Sequence, residues 1–317
     1  MLIFKAKLKD FRIKSEKIIK GITYMNRCGY VSAIGRPNAG KSSLLNWLVG
    51  EKINMVSHKA NATRKRSNTI VMHNDDQIIF VDTPGLHKQE KLINQFMLEE
   101  ALKAMGDCDL ILFLAPVTDK IIHYENFLKE NKKDTKHILL LTKTDFISNQ
   151  EVADKIKEYE KYSDKYEAII PISIKKGTKQ SDILDEVIKY LPSSPYLYDP
   201  EILTTTHLRE IYREFIRESI FDNISDEIPY EADVVIDKIQ EKPNVEVIKA
   251  TIIVEKSTQK GMIIGKGGEA IKRIGLNARK KIEQLIGKKV YLELFVSVKK
   301  GWSKNKASLK ELGYDFE

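Results

Sequence analysis

The stretch Gly35-Arg36-Pro37-Asn38-Ala39-Gly40-Lys41-Ser42 constrains the fold of this chain more than any other. It has the spacing G-x-x-x-x-G-K-[ST], follows the β-branched apolar run 30–34, and leads into a helical stretch at about 41–50. A strand that enters a glycine-rich turn and leaves as a helix opens a parallel α/β sheet. The glycines let the backbone wrap an anion with its N–H groups pointing inward, and the new helix adds its positive end. Lys41 is placed to reach the outer phosphates of a nucleotide. The Ser42 hydroxyl is placed to bind Mg²⁺, and Ser43 follows it on the first turn.

The rest of the first two thirds fits that start. Apolar strands are expected at 69–73, 77–82, 109–115, 137–142 and 168–172, with helices near 91–104, 121–131, 150–162 and 180–190. Alternation of this kind predicts a mainly parallel sheet covered on both faces. The stretch 192–204 holds three prolines and two serines and reads as an extended linker. Beyond it the expected order is helix (207–222), strand (232–240), strand (245–254), helix, helix, strand (290–298). The expected organisation is therefore a domain over 28–191, a linker over 192–204 and a second, α+β domain over 205–317. Residues 1–27 are basic, with no uninterrupted apolar core and no small-residue cleavage site. Residues 1–24 read as a disordered extension or a start-site artefact ahead of Met25, the alternative being a basic arm for RNA or membrane.

More polar motifs sit at the strand ends. Asp82-Thr83-Pro84-Gly85 closes the strand 77–82 about 40 residues after the glycine loop. Asp82 is expected behind Mg²⁺, and Gly85 is expected to offer its N–H to the terminal phosphate. The polar loop 57–66 follows the first helix, and in it Thr63 is the candidate to close on the metal. Lys41, Thr63 and Gly85 form the expected catalytic set. Thr142-Lys143-Thr144-Asp145 follows another strand and resembles the guanine-reading N-K-x-D motif, with Thr142 in place of Asn. One carboxylate, Asp145, can accept from both N1–H and N2–H₂ of guanine, which adenine cannot match. Ser173-Ile174-Lys175 resembles the S-A-K loop at guanine O6. Leu86 stands where Ras-like enzymes carry the Gln that orients water, so slow turnover is expected. Several GTPases with a hydrophobic residue there hold K⁺ through an Asn at the position of Asn38.

Charge divides the chain. It carries 53 Lys and Arg against 45 Asp and Glu, net +8. Residues 256–317 are net +9 and residues 28–255 are net −7. A basic end points to a polyanion partner, and the acidic-leaning first domain is expected to attract that basic end. Within the basic end lies Ile264-Gly265-Lys266-Gly267-Gly268-Glu269-Ala270-Ile271-Lys272, the signature of a KH domain. Its G-x-x-G loop clamps about four nucleotides against backbone and helix end. Lys266, Lys272, Arg273 and Arg279 are expected to meet RNA phosphate beside Gly265, Gly267 and Gly268. The element order suits the type II arrangement. Two isolated cysteines, Cys28 and Cys108, suggest a reducing compartment.

Together these motifs, with Cys28-Gly29-Tyr30, Glu227-Ile228-Pro229-Tyr230, Gly301-Trp302 and Glu311-Leu312-Gly313-Tyr314, resemble the Era family of bacterial ribosome-associated GTPases over 28–317. The resemblance implies GTP and GDP as ligands and Mg²⁺ as cofactor. It also implies binding near the 3′ end of 16S ribosomal RNA and a role in maturation of the small ribosomal subunit. The implied setting is a cytoplasmic monomer, partly peripheral at the inner membrane. Two alternatives stay open: a tRNA-modification or signalling GTPase, and an RNA-binding protein with an inactive nucleotide domain.

Overall fold

The computed structural model describes residues 26–56, 63–85, 92–224 and 228–314. The expectations placed on residues 1–25, Leu86 and Glu227 lie outside the described residues. Six strands pair in the order β2-β3-β1-β4-β5-β6. They are β1 (Cys28–Ile34), β2 (Ser67–His73), β3 (Asp76–Asp82), β4 (Leu110–Pro116), β5 (His137–Thr142) and β6 (Ala168–Pro171). All neighbours run parallel except β2 and β3, a hairpin. Between them run α1 (Lys41–Val49), α2 (Leu92–Gly106), α3 (Ile122–Glu130), α4 (Asn149–Tyr159) and α5 (Gln180–Ile188).

Both faces of this sheet are buried, which is why β4 reads as an unbroken apolar run. Leu44 and Leu45 of α1 and Ile183 and Val187 of α5 pack on one face. Tyr124 and Phe127 of α3 and Tyr159 of α4 pack on the other. α4 begins where Ser148 and Glu151 form a reciprocal capping box, satisfying two backbone N–H groups that a helix start leaves orphaned.

The second half contains α6 (Leu208–Asn223), β7 (Ala232–Glu241), β8 (Val245–Val254), α7 (Ser257–Ile264), α8 (Glu269–Ile286) and β9 (Lys289–Val298), ending in the short helix α9 (Lys306–Glu311). β7 and β8 are antiparallel; β8 and β9 are parallel. A parallel pair needs a crossover, which α7 and α8 provide. Ala270, Ile274, Ala278 and Ile282, one face of α8 at a four-residue spacing, are buried. The order matches the one expected.

Two expectations change. The segment after Leu191 is extended but not free. Ser193 bridges to Arg27 and Thr204 to Thr69, while the Gln77 side chain accepts from the N–H groups of Leu197 and Tyr198. It is a strap that passes the starts of the interior strands β1 and β3 and reaches the edge strand β2, and Arg27 belongs to the fold through its hydrogen bonds to the carbonyls of Lys189 and Leu191. The charges at the contact between the two sheets are also the reverse of those expected. The first half brings cations and the second half carboxylates: Arg64 with Asp233 at 3.6 Å, Lys65 with Glu210 at 3.5 Å, Lys52 with Glu218 at 2.6 Å. Beside them Ile93, Phe96 and Met97 of α2 pack with Ile253, Trp302, Leu309 and Tyr314.

Candidate nucleotide and RNA sites

The C-terminal ends of β1, β3 and β5 open into a cavity of about 490 Å³. Parallel strands place their loops together at that end, where α/β sheets bind ligands. Arg36, Pro37, Asn38, Ala39, Gly40, Lys41, Ser42 and Ser43 line it, with Thr63, Thr83, Gly85, Thr142, Lys143, Asp145 and Ile174. Gly35, Asp82, Pro84, Thr144 and Ser173 support this lining from behind or beside it. A Cβ on Gly35 would lie 2.9 Å from the Leu114 carbonyl, and one on Gly85 would lie 2.7 Å from Pro37 N. Neither position has space for a side chain. Gly40 has φ 101, a left-handed conformation at the entry to α1 that suits glycine.

Lys41 is buried and donates to the carbonyls of Gly35 and Arg36, both at 3.2 Å. Burial lowers its pKa to about 8, opposed by the nearby Asp82. Ser42 Oγ donates to Asp82 Oδ2 at 2.7 Å and lies 3.1 Å from Thr63 Oγ1. Asp82 Oδ1 is buried with no hydrogen-bond partner among the described residues. Burial pushes this carboxyl up to about 6, against the hydrogen bond from Ser42 and the charge of Lys41. Two hydroxyls and an under-satisfied carboxylate form a hard oxygen set, which fits Mg²⁺. Among the described residues no group of three His, Cys, Asp or Glu side chains assembles a metal site of another kind.

At the other end of the cavity Ser173 Oγ donates to Asp145 Oδ1 at 2.9 Å and accepts from the N–H groups of Lys175 and Lys176. The S-I-K loop thus orients the carboxylate that was singled out for base reading. Thr142 is buried and its hydroxyl donates to the Ala39 carbonyl at 3.3 Å, joining the end of β5 to the glycine loop. Lys143 donates to the Asn38 carbonyl at 3.0 Å. Three features escaped the sequence reading. Both carboxylate oxygens of Asp119 accept from the single Arg36 Nε–H, at 2.6 and 2.7 Å; no motif announces it, because the two lie 83 positions apart. Phe146 stands 62% exposed at the rim, with Lys175 Nζ 5.8 Å from its ring centre. Met55 and Val56 add apolar lining.

The second site is the turn between α7 and α8. Gly265, Gly267 and Gly268 have φ of 75, 60 and 83. A Cβ at Gly265 would lie 2.8 Å from that of Ala270, whereas one at Gly267 or Gly268 would meet nothing within 4 Å. Lys266, Gly267, Lys272 and Arg273 are exposed, so the loop is uncovered. Ile263 and Ile274 are core. Arg279 is not brought to the loop. It lies about 16 Å further along α8 at the usual helical rise, 3.7 Å from Glu283.

Comparison with known proteins agrees in both halves. The family described as "50S ribosome-binding GTPase" matches residues 30–143, and the KH domain family matches residues 227–303. GTPase Era of Campylobacter concisus is 54% identical over 289 residues, 91% of this chain and all of that one. GTPase Era of Campylobacter fetus is 51% identical over 285 residues, 90% of this chain and 98% of that one. A point variant of Aquifex aeolicus Era bound to GDP·AlF4⁻ superposes with a TM-score of 0.87 at 34% identity, covering 92% of this chain and all of that one. A structure of Era with MgGDPNP and nucleotides 1506–1542 of 16S ribosomal RNA gives the same values. Half identity over nine tenths of the length, with the nucleotide loop, the guanine-type carboxylate and the glycine clamp all in place, makes this chain a member of the Era family of GTPases.

Proposed function

We propose that this GTPase binds the 3′ end of 16S ribosomal RNA through its KH half and assists maturation of the small ribosomal subunit. The observation that carries the reading is the fit of both halves to the Era structure that holds MgGDPNP and the 16S fragment. In this reading the N–H groups of Asn38–Ser43 and the Lys41 ammonium hold the β- and γ-phosphates, and Gly85 N–H faces the terminal one. Phosphates around Lys41 favour its charged form, offsetting the burial that lowers its pKa. Ser42 and Thr63 would hold Mg²⁺ with Asp82 behind them; when bound, the ion would supply positive charge against the charge that develops on the phosphates. Water attacks the γ-phosphorus, the bond to the β–γ bridging oxygen breaks, and GDP and phosphate result. Asp145, oriented by Ser173, accepts from guanine N1–H and N2–H₂, with Ile174 beside it at O6. A K⁺ ion held partly by Asn38 is proposed as an aid to hydrolysis.

The RNA backbone lies against Gly265–Gly268, with Lys266, Lys272 and Arg273 on its phosphates. A monomer in the cytoplasm suits this partner and the two free cysteines. Peripheral association with the inner membrane belongs to the same proposal and rests on the family resemblance. Among the described residues no helix is long and apolar enough to cross a membrane. The test is sedimentation of cell extract with tagged protein, together with GTP hydrolysis measured with and without the 16S fragment. Co-migration with small subunits and stimulation by the fragment are expected. Exclusive co-migration with large subunits would overturn the assignment.

A further inference from the structure

The three-stranded sheet has one face under helices and one face turned outward. On β9, Val290, Leu292, Leu294 and Val296 pack toward the core under α7 and α8, so the intervening side chains point the other way. Among the described residues the outward face is covered at one end, where Val235 and Ile253 meet α2 and Trp302. At the uncovered end Tyr291 and Phe295 are 59% and 50% exposed. They pair in register with Val247 and Thr251 of β8. Between the rings Lys249 and Glu293 form an ion pair at 2.7 Å, and Lys238 and Lys289 are exposed nearby.

Position relative to the glycine clamp matters. α8 ends immediately before β9 begins, the N–H of Val290 donates to Glu283 Oε1, and a Cβ on Gly275 would lie 3.6 Å from Leu294 Cδ1. α8 therefore runs antiparallel to β9. Its head, which carries Gly265–Gly268, lies toward the C-terminal half of the strand. Among the described residues β9 is the edge of this sheet. A chain leaving the clamp in that direction crosses this edge and reaches Phe295 first, then Tyr291.

The geometry points to a stacking surface for single-stranded RNA, on which unpaired bases of the strand held by the clamp lie against Phe295 and Tyr291 while lysines meet its phosphates. This rests on the RNA reading above and adds a second contact to it. Four residues of strand separate the rings by about 13 Å, with an ion pair between them. That spacing offers two separate stacking places rather than one apolar patch of the kind a protein partner would cover. Aromatic faces accept any base, and lysines beside them suit a polyanion.

The test uses the full chain, the 16S fragment 1506–1542, and a short oligomer of about four nucleotides that fills only the clamp. Tyr291→Ala and Phe295→Ala are each expected to weaken the fragment by roughly tenfold and to leave the short oligomer unchanged. Phe295→Trp should restore fragment binding, and Phe295→Leu should not, because leucine keeps apolar volume without a π-face. Melting curves confirm that each variant is folded. Equal affinity of wild type and both alanine variants for the fragment, with Gly267→Asp still abolishing binding, would overturn the stacking surface and leave the clamp intact. Failure of the wild type to bind either RNA would overturn the RNA reading itself, and the surface with it.

Discussion

In the proposed base site Asp145 accepts from a neutral hydroxyl, that of Ser173. Asp145→Asn puts a donor opposite guanine N2–H₂, itself a donor. GTP affinity should fall by about 10²-fold or more, and binding should move toward xanthine nucleotides, whose C2 carbonyl accepts. Competition of both nucleotides against a fluorescent GDP analogue checks this; undiminished preference for GTP would refute the role given to Asp145. Lys41 gives a pH prediction. Its pKa falls from 10.5 to about 8 on folding without nucleotide, so between those values the unfolded chain binds more protons. This residue therefore makes the nucleotide-free protein gain stability as pH rises from about 8 to about 10. Saturating MgGDP should flatten that slope, as should Lys41→Met. Parallel slopes in all three samples, from thermal melts across that range, would show that Lys41 is not strained by burial. The motif residues were legible one by one because each loop has a fixed spacing set by phosphate or base. Asp119 was not, since its partner Arg36 is close only in three dimensions.

At the level of elements, the turn between α7 and α8 separates folding from binding. At Gly265 a Cβ would meet Ala270 from a left-handed backbone, so Gly265→Ala should lower stability by about 1–3 kcal/mol and weaken RNA binding together. At Gly267 a Cβ has open space but φ is 60, so Gly267→Asp should cost the fold only the left-handed backbone strain of about 1 kcal/mol, less than Gly265→Ala, and abolish RNA binding by placing a carboxylate against phosphate. Melting and RNA titration on both variants give the comparison, and equal loss of stability would contradict it. Strand and helix positions were readable because β4 and β5 are continuous apolar runs and α8 has a sharply two-sided pattern. The strap at 192–204 read as a linker for a physical reason. Prolines and serines fix its extended shape, but its partners Gln77 and Thr69 lie more than a hundred residues away. The antiparallel direction of β2 was equally hidden, since pairing direction leaves no mark on a buried strand.

Across the whole molecule, the residue after Thr63 joins the halves. Arg64 is buried, donates to the carbonyls of Tyr230 and Ala232, and lies over the Trp302 ring. Asp233, beneath it, is fully buried. Burial alone would raise its pKa, but Arg213, Arg64 and Arg217 outweigh that and hold the carboxyl well below the usual range. The threonine proposed to close on the metal and an arginine seated in the second half are thus neighbours in sequence. RNA should bind more tightly to the GTP-analogue form than to the GDP form, and RNA should raise GTP affinity by the same factor. Arg64→Ala should shrink that factor while the fold survives, since Asp233 keeps Arg213 at 2.7 Å. Titration of one RNA against both nucleotide forms at fixed salt decides it, and an unchanged factor in Arg64→Ala would break the link. The strap adds a different consequence. It is fastened to the first sheet along its length, and the halves are held together by the buried Arg64 and the α2–Trp302 cluster. A protease cut between Pro195 and Asp199 would leave a nicked particle of unchanged size, with its ends still hydrogen-bonded in place. The covalent connection is then less a tether than a spacer, whose length sets where α6 begins relative to the edge of β2.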